Sequence, residues 1–143
     1  MLISPEYLEL QKQLHAGGQY GISSGRWSHS VKDVMEKDGC SDILDYGCGQ
    51  GQLKAALGDI VHEYAPAIEG KDQEPEPADL VVCTDVLEHI EPENLETVLM
   101  HLRSRVKKRL FFSISLCPAS KVLADGRNAH LIVENSGWWT ERL

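Results

Sequence analysis

At 143 residues the chain has the length of one domain, and 42% hydrophobic with 25% charged residues is ordinary globular usage, which excludes a disordered, collagen-like or coiled-coil chain. Lys and Arg number 14 against 22 Asp and Glu, a net charge of -8 that repels phosphate backbones and acidic membrane surfaces and so disfavours a nucleic-acid partner. The four cysteines, Cys40, Cys48, Cys83 and Cys117, form no C-x-x-C pair, and no apolar run approaches the roughly eighteen residues of a membrane span; reduced thiols, a cytoplasmic location and no membrane association are expected.

Ser4 and Pro5 open a run containing Tyr7, Leu8, Leu10 and Leu14, which predicts a capped helix ending at Gly17-Gly18. Residues 19–25, with Gly21 and Gly25, read as a loop, and Trp27, Val31, Val34 and Met35 predict a second helix to Lys37. Ser41 to Tyr46 is strand-like and breaks into Gly47-Cys48-Gly49-Gln50-Gly51, after which Gln52 to Leu57 are good helix formers. Ile60 to Ala65 is again β-prone, so the unit is a βαβ with a parallel sheet.

Between Pro66 and Pro77 three of the six prolines lie among acids, the composition of a surface connection. Ala78 to Thr84 is nearly all apolar, as for an inner strand covered on both faces, and it runs into Asp85. Pro92 opens a helix with the stripe Leu95, Val98, Leu99, Leu102 and Val106; its acids lead, and Arg103, Arg105, Lys107, Lys108 and Arg109 trail as complements to the helix dipole. A strand over 110–115, a turn at Asp125-Gly126, a short strand over 130–133 and a last helix around Trp138-Trp139 complete the chain. The expected fold is α/β, with a mostly parallel Rossmann-like sheet and helices on both faces.

In an open α/β sheet ligands sit at the carboxyl ends of the strands, where a glycine turn admits close approach of backbone N–H groups. A dinucleotide G-x-G-x-x-G would need a third glycine at position 52, which is Gln52, and neither a P-loop nor a G-x-S-x-G elbow occurs. The run Asp45-Tyr46-Gly47-Cys48-Gly49-Gln50-Gly51 instead resembles motif I of class I S-adenosylmethionine-dependent methyltransferases. Cys83-Thr84-Asp85-Val86-Leu87-Glu88-His89-Ile90 is similar to the segment after the fourth strand of that family, in the same order along the chain.

The resemblance covers about residues 42 to 116 and implies S-adenosylmethionine as cofactor, with Asp45, Gly47, Cys48, Gly49 and Gly51 along its methionine part. It places Tyr64 and Ala65 toward the ribose, Asp85 and Val86 between cofactor and acceptor, and Tyr20 and Arg26 on a covering segment, Arg26 at the cofactor carboxylate. Two departures stand out. Where the family has a ribose-binding acid, twenty residues after Asp45, this chain has Ala65, with Glu63 or Glu69 as substitutes. Only residues 65 to 78 separate the second strand from the next, and the chain ends near where the last two strands would begin, so the expected fold is a minimal or truncated one. Tight packing of strand on helix is the other reading of the three glycines.

The expected organisation is a single domain over 1–143, with a helical covering region (1–38), a cofactor-binding core (41–116) and an acceptor-side tail (117–143). Asp85 is the candidate to orient an acceptor, and His89 or His130 to accept its proton. Asp85, Glu88 and His89 share a face if a helical turn forms, and ubiquinone-pathway and small-RNA 2'-O-methyltransferases carry a similar acidic-x-x-Glu-His run, the latter with a later His; Asp85, Glu88, His89 and His130 are thus candidate ligands of a divalent cation. The function expected is methyl transfer to an N or O acceptor, a small molecule given the charge. The alternative is a binding module of the same descent with a weakened cofactor site, and the oligomeric state is open.

Overall fold

The computed structural model describes residues 1–143. Four strands, β1 (Ile43–Tyr46), β2 (Val61–Tyr64), β3 (Ala78–Thr84) and β4 (Val106–Ser113), form one sheet in the order β2-β1-β3-β4, all neighbours parallel. From β1 the chain steps outward to β2 and then returns to β1's other side, so the carboxyl ends of β1 and β3 flank the switch point.

The alternation of side chains along the strands builds two cores. Ile43, Val61, Leu80 and Val82 meet Val31 of α2 (Ser28–Lys37) and Leu53 of α3 (Gln52–Leu57) on one face. Leu44, Tyr46, Tyr64, Val81 and Cys83 meet Leu95, Val98, Leu99 and Leu102 of α4 (Leu95–Ser104) and Trp139 of α5 (Ser136–Thr140) on the other. With both faces covered, β1 is buried throughout and β3 nearly so, which is why β3 reads as a nearly continuous apolar run. α1 (Pro5–Ala16) begins as its sequence predicts, the Ser4 side chain accepting from the Tyr7 N–H.

Three expectations are corrected. The Pro92 helix starts with a 3-10 turn and stops at Ser104, so Val106 is the first residue of β4 and not the end of an apolar stripe. Ala78 captures it, pairing with Val106 and donating its N–H to the Arg105 carbonyl. Of the bases assigned to the helix dipole, Arg103 and Arg105 do end α4, whereas Lys107, Lys108 and Arg109 lie on β4; Arg105 pairs with Glu74, Lys108 with Asp79 and Arg109 with Asp38, at 2.9 to 3.1 Å. Residues 130–133 make no strand; the Ile132 N–H bonds instead to the Glu88 carbonyl, and Ile132 is drawn into the core. No helix is long and apolar enough to cross a membrane.

Candidate functional site

At the carboxyl ends of β1 and β3 lies a cavity of about 550 Å³, within the range of small-molecule sites. The glycine turn and Ala65 to Ala67 line one end, and Ser115, Pro118 to Lys121 and His130 the other. The segment 19–26 and one face of α1 roof it.

The turn is held tightly. Gly47 and Cys48 donate their N–H groups to the Tyr64 carbonyl, Gln50 donates to the Gly21 carbonyl and Gly51 to the Cys48 carbonyl, while the Gly49 N–H meets no protein acceptor. Gly49 has φ +53, and a Cβ there would lie 2.2 Å from the Gly21 carbonyl oxygen; one on Gly47 would lie 2.4 Å from Val86. Close packing thus accounts for both glycines, and it is packing against the two segments that flank the cavity. Cys48 is buried, and burial pushes its thiol up to about 12.

Asp45, almost fully buried on β1, points one carboxylate oxygen, Oδ2, at no hydrogen-bond partner. Burial, reinforced by Glu63 alongside it on β2 and opposed by Lys71, pushes its carboxyl up to about 7. Tyr64 contributes its carbonyl to the turn and its ring to the core against Tyr46. Ala65 stands just past β2 and lines the cavity. Neither acid replaces it: Glu63 is engaged with Lys71 at 3.0 Å, Glu69 is exposed, and neither reaches the cavity wall.

Asp85 has φ +54, a left-handed conformation that a non-glycine residue holds only where its surroundings impose it. Its carboxylate accepts from Ser23 Oγ and Arg26 at 3.0 Å and from Ser113 Oγ at 3.1 Å. Arg26 is therefore on Asp85, anchoring the covering segment to the end of β3. Tyr20 lies on the same segment, its hydroxyl 2.9 Å from His89 Nδ1.

Glu88, His89 and His130 come together, their ligand atoms within 4.8 Å of one another, and Asp85 is not among them. Glu88 is fully buried; its Oε1 accepts from the Ser115 N–H at 2.8 Å and its Oε2 has no partner. Burial raises its carboxyl above the usual range. His89 Nδ1 lies 2.8 Å from the Ala129 carbonyl and His130 Nδ1 2.5 Å from the Cys117 carbonyl. A carbonyl only accepts, so both rings carry a proton on Nδ1 and keep Nε2 as the nitrogen that can ligate. Burial and then the His130 ring hold His89 down to about 4, so it is neutral at pH 7. Two imidazole nitrogens and an orphaned carboxylate oxygen form a donor set fitted to a divalent cation, with the outer nitrogens oriented by carbonyls as metal-ligating histidines usually are.

The sequence reading expected a helical covering region over 1–38 but named none of the α1 residues that face the cavity. Ile3, Tyr7, Gln11 and His15 recur every fourth residue and line the cavity, Gln11 donating to the Tyr7 hydroxyl at 2.7 Å. That spacing was visible as a helix face, but polar Gln11 and His15 masked it from a search for apolar residues.

Nothing among curated proteins or solved structures matches the chain. A family model described as a methyltransferase domain matches residues 20–141, from the covering segment through every strand to the last helix. With the glycine turn and the β3 terminus facing one cavity at the switch point of a parallel sheet, the chain belongs to the class I S-adenosylmethionine-dependent methyltransferases.

Proposed function

We propose that this methyltransferase acts on an oxygen or nitrogen of a small molecule, with a hydroxyl favoured, and that a divalent cation at Glu88, His89 and His130 assists it. The observation that carries this reading is the orphaned Glu88 Oε2 beside the His89 and His130 rings, opening on the same cavity as the glycine turn.

The chain's residues fit the cofactor, with one contact missing. Gly49 lines the cavity and its free N–H offers a donor at the turn, whereas buried Asp45 does not reach the cavity wall and Ala65 supplies no acceptor for ribose hydroxyls. Bound there, S-adenosylmethionine would supply an electrophilic methyl, transferred from its sulfur to an acceptor that gives up a proton. Most of the protein's work is alignment. Tyr20 and the α1 face exclude water from above, and Asp85 keeps the covering segment closed through Ser23 and Arg26. A cation at the three ligands lowers the pKa of an acceptor hydroxyl. Where the acceptor is a neutral amine, the Nε2 of His89 or His130 is a base within the same cavity.

The experiment is calorimetry with S-adenosylhomocysteine followed by methyl-transfer assays against a panel of hydroxyl and amine acceptors, with Mg²⁺, with Mn²⁺ and with chelator. Binding of the cofactor product and transfer lost in chelator is the expected result. Transfer indifferent to chelator removes the cation, and no binding at hundreds of micromolar removes the cofactor site.

A further inference from the structure

The connection between β2 and β3 sends one residue back against the glycine turn on the side away from the cavity. Lys71 places its Nζ 3.0 Å from Glu63 Oε1 and 3.3 Å from the Gly49 carbonyl oxygen. It reaches there because the loop is closed on itself: Lys71 donates its N–H to the Ile68 carbonyl, and its own carbonyl accepts from Ala65. The lysine side chain is only 23% exposed, and the pair packs so closely that a Cβ on Gly51 would lie 2.4 Å from Glu63 Oε1 and 3.1 Å from Lys71 Nζ.

The peptide joining Gly49 to Gln50 is thereby gripped at both ends, its carbonyl by Lys71 and its N–H by the Gly21 carbonyl at 2.8 Å. A glycine imposes little torsional preference of its own, so these two contacts, with a longer one from the Cys48 thiol to the same carbonyl at 3.7 Å, fix the orientation of this peptide within the turn. One of them belongs to the segment roofing the cavity. The other belongs to the body of the protein.

We infer that Lys71 is a positioning residue for the cofactor: braced by Glu63, its ammonium pins the Gly49 carbonyl and keeps the Gly49 N–H available to a ligand in the cavity. The inference rests on the cofactor reading above. It also assigns a role to the short β2–β3 loop, which stands where the resemblance leads one to expect a further strand and helix.

The test compares the wild type with Lys71→Met, Lys71→Arg and Glu63→Ala, by S-adenosylhomocysteine calorimetry and by amide hydrogen exchange of the ligand-free protein. Lys71→Met should weaken binding roughly threefold to tenfold, the effect of losing one half-buried charge-assisted hydrogen bond. Exchange at the Gln50 and Gly51 amides should speed up while the β1 amides stay protected, and Lys71→Arg should restore both within about twofold. Unchanged affinity or unchanged turn exchange in a folded Lys71→Met protein overturns the inference. If that variant does not fold, Glu63→Ala decides: weakened binding supports the brace, and wild-type binding overturns it. A wild type that binds no S-adenosylhomocysteine overturns the cofactor reading itself, an outcome distinct from equal binding by all four proteins.

Discussion

Asp45 and Ala65 show how single positions set the character of this site. Asp45 is a carboxylate whose burial outweighs the help of Lys71, so in the folded protein its carboxyl is pushed up to about 7 from the ordinary 3.8. The sign of the consequence follows: the folded state holds a proton that the unfolded state has released between pH 4 and 7, so the stability present below pH 4 falls as pH rises through 7. Replacing Asp45 with Asn should therefore stabilise the protein by on the order of 3 kcal/mol at pH 8 and by almost nothing at pH 4, measured by urea unfolding at both. At Ala65 the sign is reversed, because a carboxylate is missing from the cavity wall. Ala65→Asp should tighten S-adenosylhomocysteine binding by roughly tenfold or more, the worth of about 1.5 to 3 kcal/mol for a hydrogen-bonded charged acceptor. Calorimetry reads it directly, and unchanged affinity would show that ribose lies elsewhere.

At the scale of elements, α1 is tied to the loop after β3 through its cap and first turn. Ser4 caps the helix and donates its N–H and hydroxyl to Glu91, at 2.8 and 2.5 Å, and the Tyr7 hydroxyl donates to the His89 carbonyl. The first turn of α1 and the histidine-bearing turn are thus joined by side-chain hydrogen bonds. Ser4→Ala removes the cap and leaves the buried Glu91 short of a donor; a loss of about 1 to 2 kcal/mol in chemical denaturation is expected. α4 and β4 teach a different lesson. The residues from Arg105 to Arg109 suit a helix end by charge, but Ala78 and its neighbours on β3 offer them a sheet edge, and that pairing decides the matter.

Across the whole molecule, the proposed cation site joins segments far apart in the chain: the turn after β3 supplies Glu88 and His89, and the tail supplies His130. A ligand that binds only the folded chain stabilises it by mass action, so Mn²⁺ at about a hundredfold excess over its Kd should raise the midpoint of thermal unfolding by roughly 5 to 10 °C. Glu88→Gln should abolish the rise. A midpoint that does not respond to Mn²⁺ in the wild type would argue that the three side chains hold no metal.

The order of helices and strands, the glycine turn, the terminus of β3 and the Ala65 gap were all legible in the residues, because each depends on local periodicity or on backbone freedom at a few adjacent positions. Where β4 begins, why residues 130–133 form no strand, and the assembly of the roof were not, since each is settled by a partner distant in sequence. The same division holds within the site. That Glu88, His89 and His130 carry ligand chemistry was evident from their identity, but only the folded chain shows that they meet, that Asp85 is turned instead to Arg26, and that Lys71 grips the turn. Charge and hydrogen-bond partners are matters of a few ångströms, and those distances exist only once the sheet has brought the chain's segments together.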